Sequence, residues 1–232
     1  MAGRFRHVSR MIRVSQLQFA YRDSGFLLSV EALALAPGEA VALTGRSGSG
    51  KTTLLSLLAG ILLPKTGHVE VNGVVVSSRD DRFRREFRLR SIGLVFQEFE
   101  LLEHLTVLDN LLLPFRLSSA WALDRATRDR AGMLAAQVGL ADQLQRHPAQ
   151  LSQGERQRAA MCRALLPKPS VLLADEPTGH LDPDNRNKAL GLLLDYVRTQ
   201  QACLLAVTHE HDILDRFDRH LDMNHLQGGS PT

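Results

Sequence analysis

Residues 45–53 read Gly45-Arg46-Ser47-Gly48-Ser49-Gly50-Lys51-Thr52-Thr53. The residues before them, Ala40–Thr44, form a short apolar run that reads as a strand. The residues after, Lys51–Ala59, read as a helix stopped by Gly60 and Pro64. A glycine-rich turn between a strand and a helix, spaced GxxxxGK[ST], is built to hold phosphate. Gly45, Gly48 and Gly50 permit torsions that other residues resist. The loop, with Arg46, Ser47 and Ser49 between its glycines and Thr53 behind it, can therefore turn its N–H groups toward phosphate oxygens. The helix beginning near Lys51 adds its positive dipole end. In such a site Lys51 reaches the β- and γ-phosphates of a nucleotide, and the Thr52 hydroxyl ligates Mg²⁺.

Outward from this loop, short apolar strands alternate with helices. Ile92–Phe96, Val171–Ala174 and Cys203–Val207 read as strands, and Gly154–Leu166 and Asn185–Thr199 as helices. That alternation implies a parallel sheet covered on both faces. Met11–Ala20 and Phe26–Leu35 alternate apolar with polar residues and read as antiparallel strands. Asn72–Gly73, between His68–Val71 and Val74–Val76, signals a hairpin. From Glu98 to about Leu151 the pattern is helical, with Ala131, Leu134, Ala135 and Val138 at helical spacing. The expected fold is α/β, with a mostly parallel core sheet, an N-terminal antiparallel β subdomain and an inserted α-helical subdomain. Residues 1–10 are expected to be a basic arm. Residues 11–232 then form one domain, with 11–97 and 152–232 as its core and 98–151 as the helical part.

The 232 residues and ordinary apolar and charged fractions suit one large globular domain. A net charge of +3 does not by itself argue for nucleic acid, although a pI of 9.2 leaves it open. The run at 79–90, RDDRFRREFRLR, is expected to be a solvated helical face. Cys162 and Cys203 have no metal-type spacing and read as buried free thiols. The longest apolar run, 54–63, falls short of the ~18 residues that cross a bilayer and follows the phosphate loop, so it reads as a core helix. The basic N-terminus lacks the apolar segment of a secretory signal.

Other residues carry chemistry. Asp175 and Glu176 end the apolar strand VLLA, at the sheet edge where ligands of α/β proteins bind. Successive side chains of an extended segment point different ways, so Asp175 is assigned to Mg²⁺ and Glu176 to the attacking water. His209 follows the strand CLLAV and emerges at the same edge, within reach of a γ-phosphate. Gln97 ends another apolar strand and can reach either the metal or the attacking water. Residues 151–158, LSQGERQR, offer a second anion-binding helix start; Ser152 with Glu155 also makes a plain capping box.

In order, Gly45–Thr52, Gln97, LSQGE, LADEP and THE resemble the ATP-binding subunits of ABC transporters, whose fold is that of a P-loop NTPase. The resemblance runs from about Met11 to His220, and the signature LSQGE is its most specific part. It implies ATP and Mg²⁺ as ligands and two copies paired head to tail. Ser152 and Gly154, with Gln153 between them, then face the γ-phosphate held by the other copy. It further implies that Tyr21 stacks on adenine, with Phe19 as the alternative, and that Asp182 lies in a loop crossing the dimer interface. Gln97 begins the segment that docks on an integral membrane permease. The chain is thus expected to be an ATPase at the cytoplasmic face of the inner membrane, with no nucleic-acid partner. Gln153 and Glu155 depart from the commoner LSGGQ, and His180 stands where asparagine is frequent. FQEFELLEHLTVLDNLLLPF and ADEPTGHLD resemble the group serving lipoprotein release, macrolide-type export and cell division. The alternatives are an ABC ATPase acting on DNA or ribosomes, and a small-molecule kinase.

Overall fold

The computed structural model describes residues 10–22, 25–96, 98–118, 121–179 and 181–227. Two sheets organise the chain. Strands β1 (Ile12–Ala20), β2 (Leu27–Leu35), β4 (Thr66–Val71) and β5 (Val74–Val75) form an antiparallel sheet in the order β2-β1-β4-β5. Strands β3 (Ala40–Thr44), β6 (Ile92–Val95), β7 (Val171–Asp175), β8 (Cys203–Val207) and β9 (Arg219–Asp222) form a parallel sheet in the order β6-β7-β8-β3-β9. Because β7 and β8 lie inside this sheet with both faces covered, every one of their residues is buried.

The pleat divides the core in two. Val41, Leu43, Val171, Leu173, Leu205 and Val207 face helix α1 (Lys51–Leu58) and the inner side of the antiparallel sheet. Ala42, Leu172, Ala174, Leu204 and Ala206 face helices α5 (Gln153–Leu165) and α6 (Pro183–Gln200). A third cluster joins α3 (Val107–Leu117) and α4 (Arg125–Gln137) to Ala159 and Cys162 on the opposite side of α5. Helix α5 therefore serves two cores at once. Cys162 and Cys203 are buried free thiols, as expected, and burial pushes both up to about 12.

The structure corrects the reading at three places. The charge run forms α2 (Asp81–Ser91), but it is more than a solvated face. Arg84 is buried, and its Nη1 donates to the Gly60 carbonyl at 3.3 Å, while Arg88 Nη1 donates to the Ala59 carbonyl at 3.1 Å. Both cations thus sit on the carbonyl end of α1, the helix that follows the phosphate loop, where the dipole favours positive charge. Arg85 and Arg90 pair with Asp81 and Glu86, so four of these arginines are engaged within the chain. Second, Val76 closes a strand in the sequence reading but begins a 3₁₀ turn, Val76–Ser78. Third, β9 was not foreseen. Its sequence, RHLD, has one apolar residue, and only pairing with the edge of β3 makes it a strand.

Two glycines test the packing from opposite sides. A Cβ on Gly93 in β6 lies 2.6 Å from the Ala164 carbonyl and 2.7 Å from Leu172 Cδ2. Gly132, inside α4, has no atom within 4 Å of its would-be Cβ. Gly93→Ala is expected to cost about 1–3 kcal/mol by overpacking. Gly132→Ala is expected to add about 0.5–1 kcal/mol by helix propensity. Urea denaturation of the two variants checks the pair.

Candidate functional site

The site grows from the carboxyl ends of β3, β7 and β8. In register, Asp175 lies beside Val207 and Val207 beside Leu43. The residues that follow each strand therefore emerge at one sheet edge, as the sequence reading expected. They line a pocket of about 670 Å³ that gathers Tyr21, Phe26, Ser47, Gly48, Gly50, Lys51, Thr52, Thr53, Asp175, Glu176, Gly179, Val207 and His209.

The phosphate loop has the conformation its glycines allow. Gly45, Gly48 and Gly50 have φ of 147°, 77° and 95°. At Gly50 a side chain would also have to displace the Phe26 ring, since a Cβ there lies 2.8 Å from Phe26 Cζ. Lys51 is buried, and its ammonium donates to the carbonyls of Gly45 at 2.7 Å and Arg46 at 3.0 Å. The lysine thus folds back over the loop that it serves. Ser49 N–H closes a turn onto the Arg46 carbonyl at 3.2 Å.

The Thr52 hydroxyl donates to Asp175 Oδ2 at 2.6 Å. Two hard oxygen donors from separate elements therefore converge beside the loop, the donor chemistry that suits Mg²⁺. Glu176 does not continue the strand. Its φ is +51°, a left-handed conformation that costs a non-glycine residue of order 1–3 kcal/mol. This kink, rather than the pleat, separates its side chain from that of Asp175. Hydrogen bonds hold the kink: Glu176 N–H donates to the Val207 carbonyl at 3.0 Å, and its own carbonyl accepts from Gln157 Nε2 at 2.9 Å. Gln157 is a buried residue of α5, so the helix that starts with the LSQGE segment also secures the carboxylate.

Glu176 Oε1 lies 3.3 Å from His209 Nε2, within ion-pair range, yet this buried oxygen has no hydrogen-bond partner. Burial raises the Glu176 pKa above its ordinary value, against the lowering pull of His209. The segment that carries His209 is held through the residues that follow it. The buried Thr178 hydroxyl donates to Glu210 Oε2 at 2.7 Å, and Arg186 pairs with Glu210 at 3.2 Å and with Asp212 at 2.8 Å. Loop 176–179 and loop 208–212 are thereby tied together.

Tyr21 is 45% exposed, packs edge-on against Phe19 at 4.8 Å and shares a hydrogen bond with Thr53 Oγ1 at 3.2 Å. Phe19 is 7% exposed and buried behind it, so of these two rings Tyr21 is the one that lines the pocket. Phe26, which the sequence reading passed over, lies beside Tyr21 with centroids 5.8 Å apart. Its signal was its position at the start of a strand that enters the antiparallel sheet next to Tyr21, which spacing alone does not reveal.

The remaining expected residues lie elsewhere. Ser152 caps α5 in a capping box with Glu155, its hydroxyl donating to Glu155 Oε2 at 2.9 Å. The helix begins at Gln153, one residue before the expected start at Gly154. The Ser152 N–H holds the Glu155 carboxyl below its usual range. Asp182 caps α6 by accepting from Asn185 N–H at 3.1 Å. Neither Ser152, Gln153, Gly154 nor Asp182 lines the pocket. Gln97 and His180 lie outside the described residues.

This site defines a nucleotide hydrolase built on a phosphate loop at a parallel sheet edge. The pattern of the ABC transporter family matches residues 29–179, and the chain belongs to that family. It is 46% identical over 187 residues to the lipoprotein-releasing system ATP-binding protein LolD of Maricaulis maris, covering 81% of each chain. It is 41% identical over 222 residues to an uncharacterized ABC transporter ATP-binding protein of Mycobacterium tuberculosis, covering 94% of this chain and 88% of that one. Among solved structures it is similar to a dimeric, post-hydrolysis state of the ATP-binding cassette MJ0796 bound to ADP and Pi. The TM-score is 0.83 at 29% identity, over 91% of this chain and 94% of that one. The chain is an ATP-binding and ATP-hydrolysing subunit of an ABC transporter. No helix among the described residues is long and apolar enough to cross a membrane.

The raised pKa of Glu176 links stability to pH. A carboxyl raised in the folded state stabilises nothing once ionised. Stability is greatest below its unfolded value and declines as pH rises through the folded one. Glu176→Gln is therefore expected to melt above the parent at neutral pH without nucleotide. The difference should close as pH falls below the ordinary glutamate value of 4.5. Thermal melts of both proteins across this range give the answer.

Proposed function

We propose that the chain works as one half of a head-to-tail pair, each copy completing the nucleotide site of the other, and drives an integral membrane permease in lipoprotein release or a related export. The single observation that carries this reading is the division of the site. Ser47, Gly48, Gly50 and Lys51 of the phosphate loop share one pocket with Asp175, Glu176 and His209, whereas Ser152, Gln153, Gly154 and Asp182 stand outside it. The start of α5 combines a helix dipole with a serine hydroxyl, and both favour an anion that this chain's own pocket cannot bring to it.

In this reading Lys51 exchanges the carbonyls of Gly45 and Arg46 for the β- and γ-phosphate oxygens of ATP. Tyr21 stacks on adenine. Thr52 and Asp175 hold Mg²⁺, which neutralises phosphate charge when bound. Glu176 accepts a hydrogen bond from the attacking water through its unpartnered oxygen and takes its proton as the water oxygen bonds to the γ-phosphorus. The bond from that phosphorus to the bridging oxygen breaks, releasing ADP and phosphate. His209 donates a hydrogen bond to the γ-phosphate and aligns Glu176. Ser152 of the second copy must turn its hydroxyl from Glu155 to the γ-phosphate.

The permease has a place to dock. An apolar groove of about 420 Å³ opens between α2, β6, α3 and α5, lined by Leu89, Leu94, Phe96, Leu113 and Leu117, with Arg163 at its base. Arg163 donates to the carbonyls of Phe99 and Glu100 at 2.7 and 2.5 Å, and both residues are left-handed. Arg163 belongs to the helix that Ser152 caps, so a partner pressing on segment 98–102 acts on α5 through one guanidinium. We place this complex at the cytoplasmic face of the inner membrane, with residues 98–151 as the arm that carries the groove's partner. LolD relatives support the lipoprotein-release branch. The engagement of the α2 arginines within the chain weighs against a role on DNA or ribosomes.

Glu176→Gln is expected to cut hydrolysis by at least about 100-fold, the usual worth of a general base, and to trap an ATP-bound dimer on size exclusion. A variant that stays monomeric with ATP and hydrolyses it normally contradicts the reading. Mixed dimers test the exchange of halves. Ser152→Asp keeps a good helix cap and sets a carboxylate against the phosphate. In a Glu176→Gln background, Lys51→Ala and Ser152→Asp on different chains should leave one ATP occluded per dimer. The same two changes on one chain should leave none.

A further inference from the structure

The structure assigns to Gln227 the role of a positioning residue for the phosphate loop. The path to it runs through β9. That strand pairs with β3 as far as Thr44 opposite Asp222, and the Thr44 hydroxyl donates to the Leu221 carbonyl at 3.2 Å. The chain then makes one short helical turn, α7 (Met223–Leu226), capped by Asp222. This turn lies against the outer side of the phosphate loop at two points. Met223 packs under Gly45, where a Cβ added to the glycine lies 2.8 Å from Met223 Cβ. Gln227 Nε2 donates to the Ser49 carbonyl at 2.6 Å, across 178 residues of chain.

The second contact bears on nucleotide binding through the geometry of one peptide unit. A trans peptide carries its C=O and its N–H on opposite sides, and no peptide bond among the described residues is cis. The carbonyl of the Ser49–Gly50 unit is pinned outward to Gln227, so its N–H, that of Gly50, faces the other way, toward the pocket that Gly50 lines. Gly50 has φ of 95°, a flexible position at which this peptide could otherwise rotate. Gln227 holds in advance the orientation that phosphate requires, which lowers the ordering cost of binding. Gln227 is only half-buried and also lines an open polar hollow with Gln16, Gln18 and Glu31, so replacing it leaves no cavity in a core.

The test replaces Gln227 by Met, which keeps length and volume but loses the N–H donor, and by Lys, which keeps a donor. Calorimetric titration of the full chain with ADP and with ATP reads the outcome. Q227M is expected to bind both nucleotides about 5-fold more weakly, the worth of one neutral hydrogen bond. The loss should be equal for the two, because the loop's N–H groups meet phosphates common to both. Q227K, measured at high ionic strength to screen its charge, should stay within about 2-fold of the parent. Melting temperatures without nucleotide should fall by no more than about 4 °C, the worth of that one bond in a chain of this size. Undiminished affinity in Q227M overturns the proposal. So does a loss confined to ATP, which assigns the effect to the γ-phosphate and the dimer interface. A loss shared by Q227K, or one accompanied by a fall in melting temperature well beyond about 4 °C, makes Gln227 a packing residue and overturns it as well.

Discussion

The parallel hydrogen bonding of β7 to β8 and of β8 to β3 is the constraint on which the site depends. It sets Asp175, Val207 and Leu43 side by side, so that the phosphate loop, the two carboxylates and His209 leave the sheet at one edge. A slip of one residue between any two of these strands would turn every buried side chain to the opposite face. The two apolar layers, one of Val and Leu against α1 and one of Ala and Leu against α5 and α6, fix that register by size as well as by polarity.

Around this edge the protein keeps local conformations that cost free energy. Glu176 is left-handed without being glycine, and one of its buried oxygens has no hydrogen bond. Phe99 and Glu100 are both left-handed. In each case side chains of α5 hold the backbone, Gln157 at Glu176 and Arg163 at residues 99 and 100. One helix thus carries the LSQGE segment at its start, secures the carboxylate in its middle and grips the groove segment near its end. That makes α5 the natural route for force between a docked partner and a bound nucleotide.

The outer supports of the phosphate loop come from parts of the chain that carry no chemistry. Arg84 and Arg88 neutralise the carbonyl end of α1, and α7 braces Gly45 and Ser49 from behind. A glycine-rich loop that must present several N–H groups to an anion has little beyond the Lys51 bonds to stiffen it from within. Its rigidity has to be supplied by neighbours.

Much of this was legible in the sequence, for a physical reason. The phosphate loop is local: its glycines, lysine and threonine lie within nine residues and act through backbone geometry that spacing alone specifies. The buried strands β7 and β8 were legible because burial on both faces demands unbroken apolar runs. The helix start at Ser152 was legible because a capping box is four residues long. Tertiary structure decided what depends on partners distant in the chain. The Glu176 kink rests on Val207 and Gln157, the burial of Arg84 rests on Gly60, and β9 is a strand only because β3 has a free edge. Such features are fixed by where a hydrogen bond finds its other half, which no local pattern of residues records.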